Sequence, residues 1–318
     1  YLFDQLLDYL NLKAQRKDIP IVVEGFYNKE KYQKSLDYQK DQTHFSFIIA
    51  AFSFLLSLGM LVFGGFGWVD SVLRPFFTNE IILALIFFGS IIITSDILTI
   101  PFQWYGTFVI EEKYGFNKTT VKTFIADKLK GYLLGALVGS ALLSVLIYLI
   151  NSIGPNFWIW FALLSAAFTF CMSMFYASLI LPLFNKLTPL ADGELKTAIE
   201  TFAQKVNFPL DNVFVMDGSK RSAKANAFFS GIGKKKKIVL YDTLITNHAT
   251  EELVAVLAHE VGHFKKKHII WSYLISIMQI FILLFILSKM VFHENLSIAL
   301  GGSQQAIHLN LIAFTILF

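Results

Sequence analysis

Residues 81–106 read IILALIFFGSIIITSDILTIPFQWYG, a stretch with a single charged side chain, Asp96. Crossing a hydrocarbon core of about 30 Å takes about 20 helical residues at 1.5 Å each. This stretch is long enough and apolar enough to do so. Four further blocks read the same way, at about 45–68, 131–150, 157–184 and 269–292, and a sixth starts near Ala306. The sequence therefore predicts a multi-pass α-helical membrane protein. Asp96 lies inside a span, where a charge is costly and usually faces a wet cavity or a partner.

The whole composition agrees with this reading. The chain is 55% hydrophobic and 16% charged, with a mean hydropathy of +0.57, against about 25% charged residues in ordinary soluble domains. A net charge of +4 is small for a nucleic-acid binder, so nucleic acid is not expected as a partner and the lipid bilayer is. The one cysteine, Cys171, sits in an apolar block, which excludes a disulfide framework. Both ends read as cut, since Tyr1 is not Met and the last apolar run stops at Phe318 after too few residues to span.

Residues 185–268 differ from their surroundings, being long, charged and interrupted by Pro189 and Pro209. A helical stretch at 192–206, β-like runs at 213–216 and 238–241, and a helix from about Thr250 predict a small α+β domain inserted between membrane helices. The expected organisation is a membrane region over 1–184, the inserted domain over 185–268 and membrane helices over 269–318. Lys and Arg number 7 before the first span, 1 in 69–80, 5 in 107–130, none in 151–156, 13 in 185–268 and 1 in 289–308. Cytoplasmic loops are the ones that hold these cations, so the alternation puts 185–268 on the cytoplasmic side.

That domain carries His259-Glu260-Val261-Gly262-His263, an H-E-x-x-H pattern. Chance supplies about 0.005 of these in a chain this poor in histidine. On a helix, residues four apart differ by about 40° in azimuth, so both imidazoles leave one face a turn apart. Two neutral imidazoles so placed bind Zn²⁺ and leave room for a further ligand and a water. Glu260 is suited to take a proton from that water and pass it to the leaving amine. The expected roles are His259 and His263 as metal ligands and Glu260 as the catalytic base of a zinc metalloendopeptidase. Thr250, Glu251 and Glu252 supply helix-start chemistry, and Leu253, Val254, Val256, Leu257 and Val261 an apolar surface.

A third protein ligand is expected. On a continuous helix His268 would lie 180° from His259 and face away. Glu294 follows the 269–292 span and would emerge on the other side of the membrane. The missing ligand is therefore expected after Phe318.

With these features in place, the chain resembles the integral-membrane CAAX prenyl protease type 1 family. The resemblance rests on Phe108-Val-Ile-Glu-Glu-Lys-Tyr-Gly-Phe-Asn117, on Gly218-Ser-Lys-Arg-Ser222 with Asn226-Ala-Phe228, on Ile238-Val-Leu-Tyr-Asp-Thr-Leu244, and on Val256-Leu-Ala-His-Glu-Val-Gly-His263. It implies a seven-helix chamber, incomplete here, with a zincin-like peptidase site at its cytoplasmic end and a downstream Glu as third zinc ligand. It implies CAAX processing of peptide or protein substrates, prenylated or membrane-associated, in the endoplasmic reticulum or the bacterial inner membrane.

Asn226, Ala227 and Phe228 precede the strand at 238–241, and zincins bind substrate along such an edge, so these three are candidate substrate-binding residues. An ordinary hairpin is the plain alternative. Lys220 and Arg221 suit a substrate carboxylate or headgroup, or a solvated loop. The lysines at 234–237 and 265–267 suit anionic lipid or plain solvent. Glu111 and Glu112 open a cytoplasmic loop with no evident catalytic role. The rival functions are an HtpX-type membrane stress protease, against which the Glu111–Asn117 stretch argues, and a transporter or lipid-binding protein with a vestigial peptidase domain.

Overall fold

The computed structural model describes residues 1–318 except 22, 23, 26, 27, 209–211 and 231–236, and except the side chains of 212, 229, 230, 264 and 269. Pro209 and the lysines at 234–236 thus lie outside the described residues.

The chain opens with helix α1 (Leu2–Lys13), followed by α2 (Lys29–Val62), α3 (Gly65–Leu73) and α4 (Glu80–Tyr105). Asn28 starts α2, its side-chain oxygen accepting from the amides of Glu30 and Lys31; Asn79 does the same for α4. The apolar block at 45–68 is not one helix: α2 stops at Val62, and Gly64 turns the chain through φ +62° into α3. A side chain would resist that left-handed turn, and glycine does not. Helix α4 continues as a π-helical turn, Gly106–Glu111.

Next come α5 (Val121–Ile153) and α6 (Phe157–Phe175), separated at Gly154, where φ is +65°. A π-helical turn (Tyr176–Ile180) joins α6 to the short α7 (Leu181–Phe184). Strand β1 (Leu187–Pro189), α8 (Glu194–Lys205), β2 (Asn212–Met216), β3 (Ala227–Ser230), β4 (Lys237–Tyr241), α9 (Asp242–Asn247) and α10 (Thr250–Lys265) form the α+β part. Helix α11 (His268–Met290) and then α12 (Glu294–Ala299) and α13 (Ile307–Leu317) end the chain. Among the described residues four helical stretches are long and apolar enough to cross a membrane, Lys29–Val62, Glu80–Glu111, Val121–Phe184 and Ile270–Met290. The third bends at Gly154 into two helices.

The chain forms two compact units, 1–117 with 293–318, and 118–292. In the first, Phe66, Phe87, Leu300, Leu309 and Ala313 make the core. Beside it Asp70, 1% exposed, accepts from Arg74 Nη2 at 2.8 Å and meets His308 Nε2 at 2.8 Å. A buried carboxylate needs such hydrogen-bonding partners.

In the second unit α6 lies along α11. Trp158 meets Phe281 and Phe285 edge-on, and the Tyr273 hydroxyl donates to the Ala166 carbonyl at 2.8 Å. The four-stranded sheet runs in the order β1-β2-β4-β3, with β2 parallel to β4 and the other pairs antiparallel. One face of the sheet is covered by α8 and α10 through Ile199, Ala203, Leu253, Leu257 and Val261. The other face meets Ala177 of the π-helical turn and Leu181 of α7 through Met216 and Val239. Strand β4 is covered on both sides, which explains its run Ile238-Val-Leu240 without a polar residue.

Candidate active site

Leu253, Leu257 and Val261, spaced four apart, are each at most 3% exposed and seat α10 against the sheet. Helix geometry then fixes where the motif goes. His259 and His263 stand about 200–240° around from Leu257, on the open face, and Glu260 flanks the buried stripe. The start of α10 is secured by Glu252, which accepts from the Ala249 amide at 3.0 Å and faces His248 Nδ1 at 3.3 Å. The amide hydrogen bond first, and His248 second, hold the Glu252 carboxyl below the usual carboxylate range.

The two imidazoles converge. His259 Nε2 and His263 Nε2 are 3.1 Å apart, with ring centroids at 4.8 Å and planes at 67°. Two ligands of a tetrahedral zinc, each about 2.0–2.1 Å from the ion, stand about 3.3 Å apart. The pair therefore fits two vertices of such a site, and imidazole suits zinc among the divalent ions. Among the described residues no group of three or more His, Cys, Asp or Glu is arranged to hold a metal.

One expectation is overturned. His268 does not face away from the motif: its Nδ1 lies 2.9 Å from His263 Nδ1. The expectation assumed one continuous helix. Instead α10 stops at Lys265, Lys267 takes a left-handed φ of +57°, and α11 begins at His268. The signal was present in the sequence, because three consecutive lysines precede an apolar block that starts a new helix.

The candidate substrate residues lie at and just before β3, the last strand of the sheet. The Asn226 carbonyl accepts from the Tyr241 amide at 3.0 Å, and its side-chain oxygen from the Ala227 amide at 2.8 Å. Ala227 pairs with Leu240 and Phe228 with Val239. Among the described residues the other edge of β3 has no strand beside it.

Two nitrogens of Arg221 have partners within the protein. Its Nε and Nη2 donate to Asp127 at 2.6 and 2.8 Å, and Nη2 also to the Phe184 carbonyl at 2.7 Å. The Asp127 carboxylate raises the guanidinium's already high pKa further. Lys237 donates to Ser178 Oγ at 3.0 Å and sits over the Phe214 ring. Glu111 and Glu112 serve the fold: Glu111 accepts from the Tyr38 hydroxyl and, at 2.8 Å, from Gln42 Nε2, while Glu112 accepts from Asn117 Nδ2 at 3.0 Å. Asp96 accepts from Gln103 Nε2, a partner on its own helix, at 3.0 Å.

Comparison with known proteins gives matches along nearly the whole chain. The family described as CAAX prenyl protease N-terminal, five membrane helices, matches residues 8–186, and peptidase family M48 matches residues 189–317. The CAAX prenyl protease 1 homolog of Arabidopsis thaliana is 38% identical over 287 residues, covering 86% of this chain and 67% of its own. The probable CAAX prenyl protease 1 of Schizosaccharomyces pombe is 38% identical over 268 residues, covering 80% of this chain and 56% of its own. The chain thus spans about two thirds or less of the length of these relatives. The crystal structure of S. mikatae Ste24p superposes with a TM-score of 0.92 at 29% identity, over 99% of this chain and 78% of that one. This is a multi-pass membrane protein, and it belongs to the CAAX prenyl protease 1 family within peptidase family M48.

Proposed function

We propose that this chain carries the catalytic helix of a zinc metalloendopeptidase that cleaves membrane-associated peptides or proteins, prenylated ones among them, on the cytoplasmic face. The single observation that carries the reading is the 3.1 Å approach of the His259 and His263 Nε2 atoms on the open face of α10. In this reading the two histidines hold the ion through Nε2, and one further protein ligand completes the site. When bound, zinc supplies Lewis acidity toward water and the scissile carbonyl. Glu260 accepts the proton that the attacking water loses and returns it to the amine as the peptide bond breaks. Residues 226–228 lay the substrate alongside β3, whose backbone adds it as a further strand. The relatives' names support the choice of substrate, since they are called CAAX prenyl proteases. The loop charges support the side of the membrane.

The test uses full-length protein. Glu260→Gln is expected to keep stoichiometric zinc and to lose at least about 100-fold in peptide cleavage, the usual contribution of a general base. His259→Ala and His263→Ala are expected to lose both zinc and activity. Zinc retained in either histidine variant, or near-wild-type turnover in Glu260→Gln, would remove the assigned roles.

A further inference from the structure

The 2.9 Å approach of His268 Nδ1 to His263 Nδ1 has a chemical consequence at the far side of the His263 ring. A neutral imidazole carries one N–H, so it can present a bare nitrogen at Nε2 only with its proton on Nδ1. We infer that His268 is a positioning residue for the metal site: its Nδ1 accepts the Nδ1–H of His263, which fixes the His263 tautomer and aims Nε2 at the point shared with His259. This rests on the zinc reading above.

Three features carry the inference. The first is geometry: with the nitrogens 2.9 Å and the centroids 4.9 Å apart, the rings meet nearly nitrogen to nitrogen, their planes twisted by 77°. That arrangement puts an N–H of one ring toward the in-plane lone pair of the other. The second is direction. If His268 were the donor, the His263 proton would sit on Nε2, 3.1 Å from His259 Nε2, and close that nitrogen to a cation. Only the arrangement in which His268 accepts leaves both Nε2 lone pairs free. The third is the backbone that brings the ring back. On an unbroken helix His268 would stand about 140° around from His263. The Lys266 amide closes α10 onto the Gly262 carbonyl at 3.0 Å, and the amides of Ile270 and Trp271 open α11 on the Lys267 carbonyl at 3.0 and 3.1 Å. Lys267 supplies the left-handed residue between them. A non-glycine residue at positive φ is uncommon and costs free energy, so this turn marks a position where the surrounding structure dictates the backbone.

An orienting partner on the second ring nitrogen of a ligating histidine typically contributes 10–100-fold in metal affinity. The experiment is a zinc titration of full-length protein against a chromophoric chelator, for wild type, His268→Phe, His268→Asn and His263→Ala. Phe keeps a ring but has no acceptor; Asn puts an oxygen where the His Nδ1 stands. The expected result is affinity reduced about 10–100-fold in His268→Phe, near wild type in His268→Asn, and lost in His263→Ala. The melting temperatures of the zinc-free proteins are expected to match. Wild-type affinity in His268→Phe, or a loss in His268→Asn equal to that in His268→Phe, would overturn the role of His268 while leaving the zinc reading in place. A wild-type protein without zinc would overturn both.

Discussion

Arg221 grips Asp127 with two nitrogens, although 94 residues separate them in the chain. The same guanidinium reaches the carbonyl of Phe184, and the Arg221 carbonyl accepts from the Lys118 amide at 3.0 Å and the Thr119 hydroxyl at 3.1 Å. One residue of the 218–222 loop thus ties the α+β part to the start of α5 and the end of α7. The sequence offers Arg221 equally as a ligand for substrate and as a solvated side chain. In the structure Nε and Nη2 are engaged by Asp127 and Phe184, and Nη1 is buried without a hydrogen-bond partner among the described residues.

Hydrogen bonds to charged groups contribute about 1.5–3 kcal/mol each, and both side chains here are only about a quarter exposed. Arg221→Ala is expected to destabilise the protein by about that amount, read as a lowered melting temperature in detergent. Arg221→Lys should recover little, because an ammonium cannot reproduce the two-pronged fork. In a double-mutant cycle with Asp127→Asn the losses should be far from additive. Simple additivity would show that the pair does not act as a unit.

Gly67 meets the turn between α12 and α13 backbone to backbone, its amide donating to the Leu300 carbonyl at 2.9 Å. A Cβ at this position would lie 2.0 Å from the carbonyl carbon and oxygen of Gly301, atoms that cannot swing aside. Gly67→Ala is expected to cost at least the 1–3 kcal/mol or so of an overpacked core. Gly89→Ala, with nothing within 4 Å of the new carbon, serves as control and should be neutral or slightly stabilising. Equal melting temperatures for the two variants would contradict the close approach.

The side of the membrane can be read by labelling. In a Cys171→Ser background, cysteines replacing Lys196 in α8 and Ser152 at the end of α5 should react with an impermeant thiol reagent from opposite sides. Lys196 belongs to the cation-rich segment 185–268 and Ser152 to a loop with no Lys or Arg. Reaction of both from one side would reverse the assignment of 185–268 to the cytoplasm.

Much of this architecture is legible in the sequence because it depends on short-range rules. Apolar runs of spanning length identify membrane helices, and a four-residue spacing on a helix is enough to pair His259 with His263. Even the core of the α+β part is visible in the periodicity of Leu253, Leu257 and Val261. Strand β1 escapes such a reading. It has three residues, one of them Pro189, and proline is tolerated in a sheet only at positions such as this edge.

The sequence by itself determined that the chain is a helical membrane protein bearing an H-E-x-x-H helix, since backbone geometry and the thickness of a bilayer leave few alternatives. Tertiary structure alone decided which distant residues meet. Asp70 and His308 lie 238 positions apart, and β2 aligns with β4 rather than with β3, its neighbour in sequence. His268 turns back onto His263 because one residue, Lys267, takes a left-handed backbone conformation. Such encounters depend on where several elements end and how they pack, and no local periodicity encodes that.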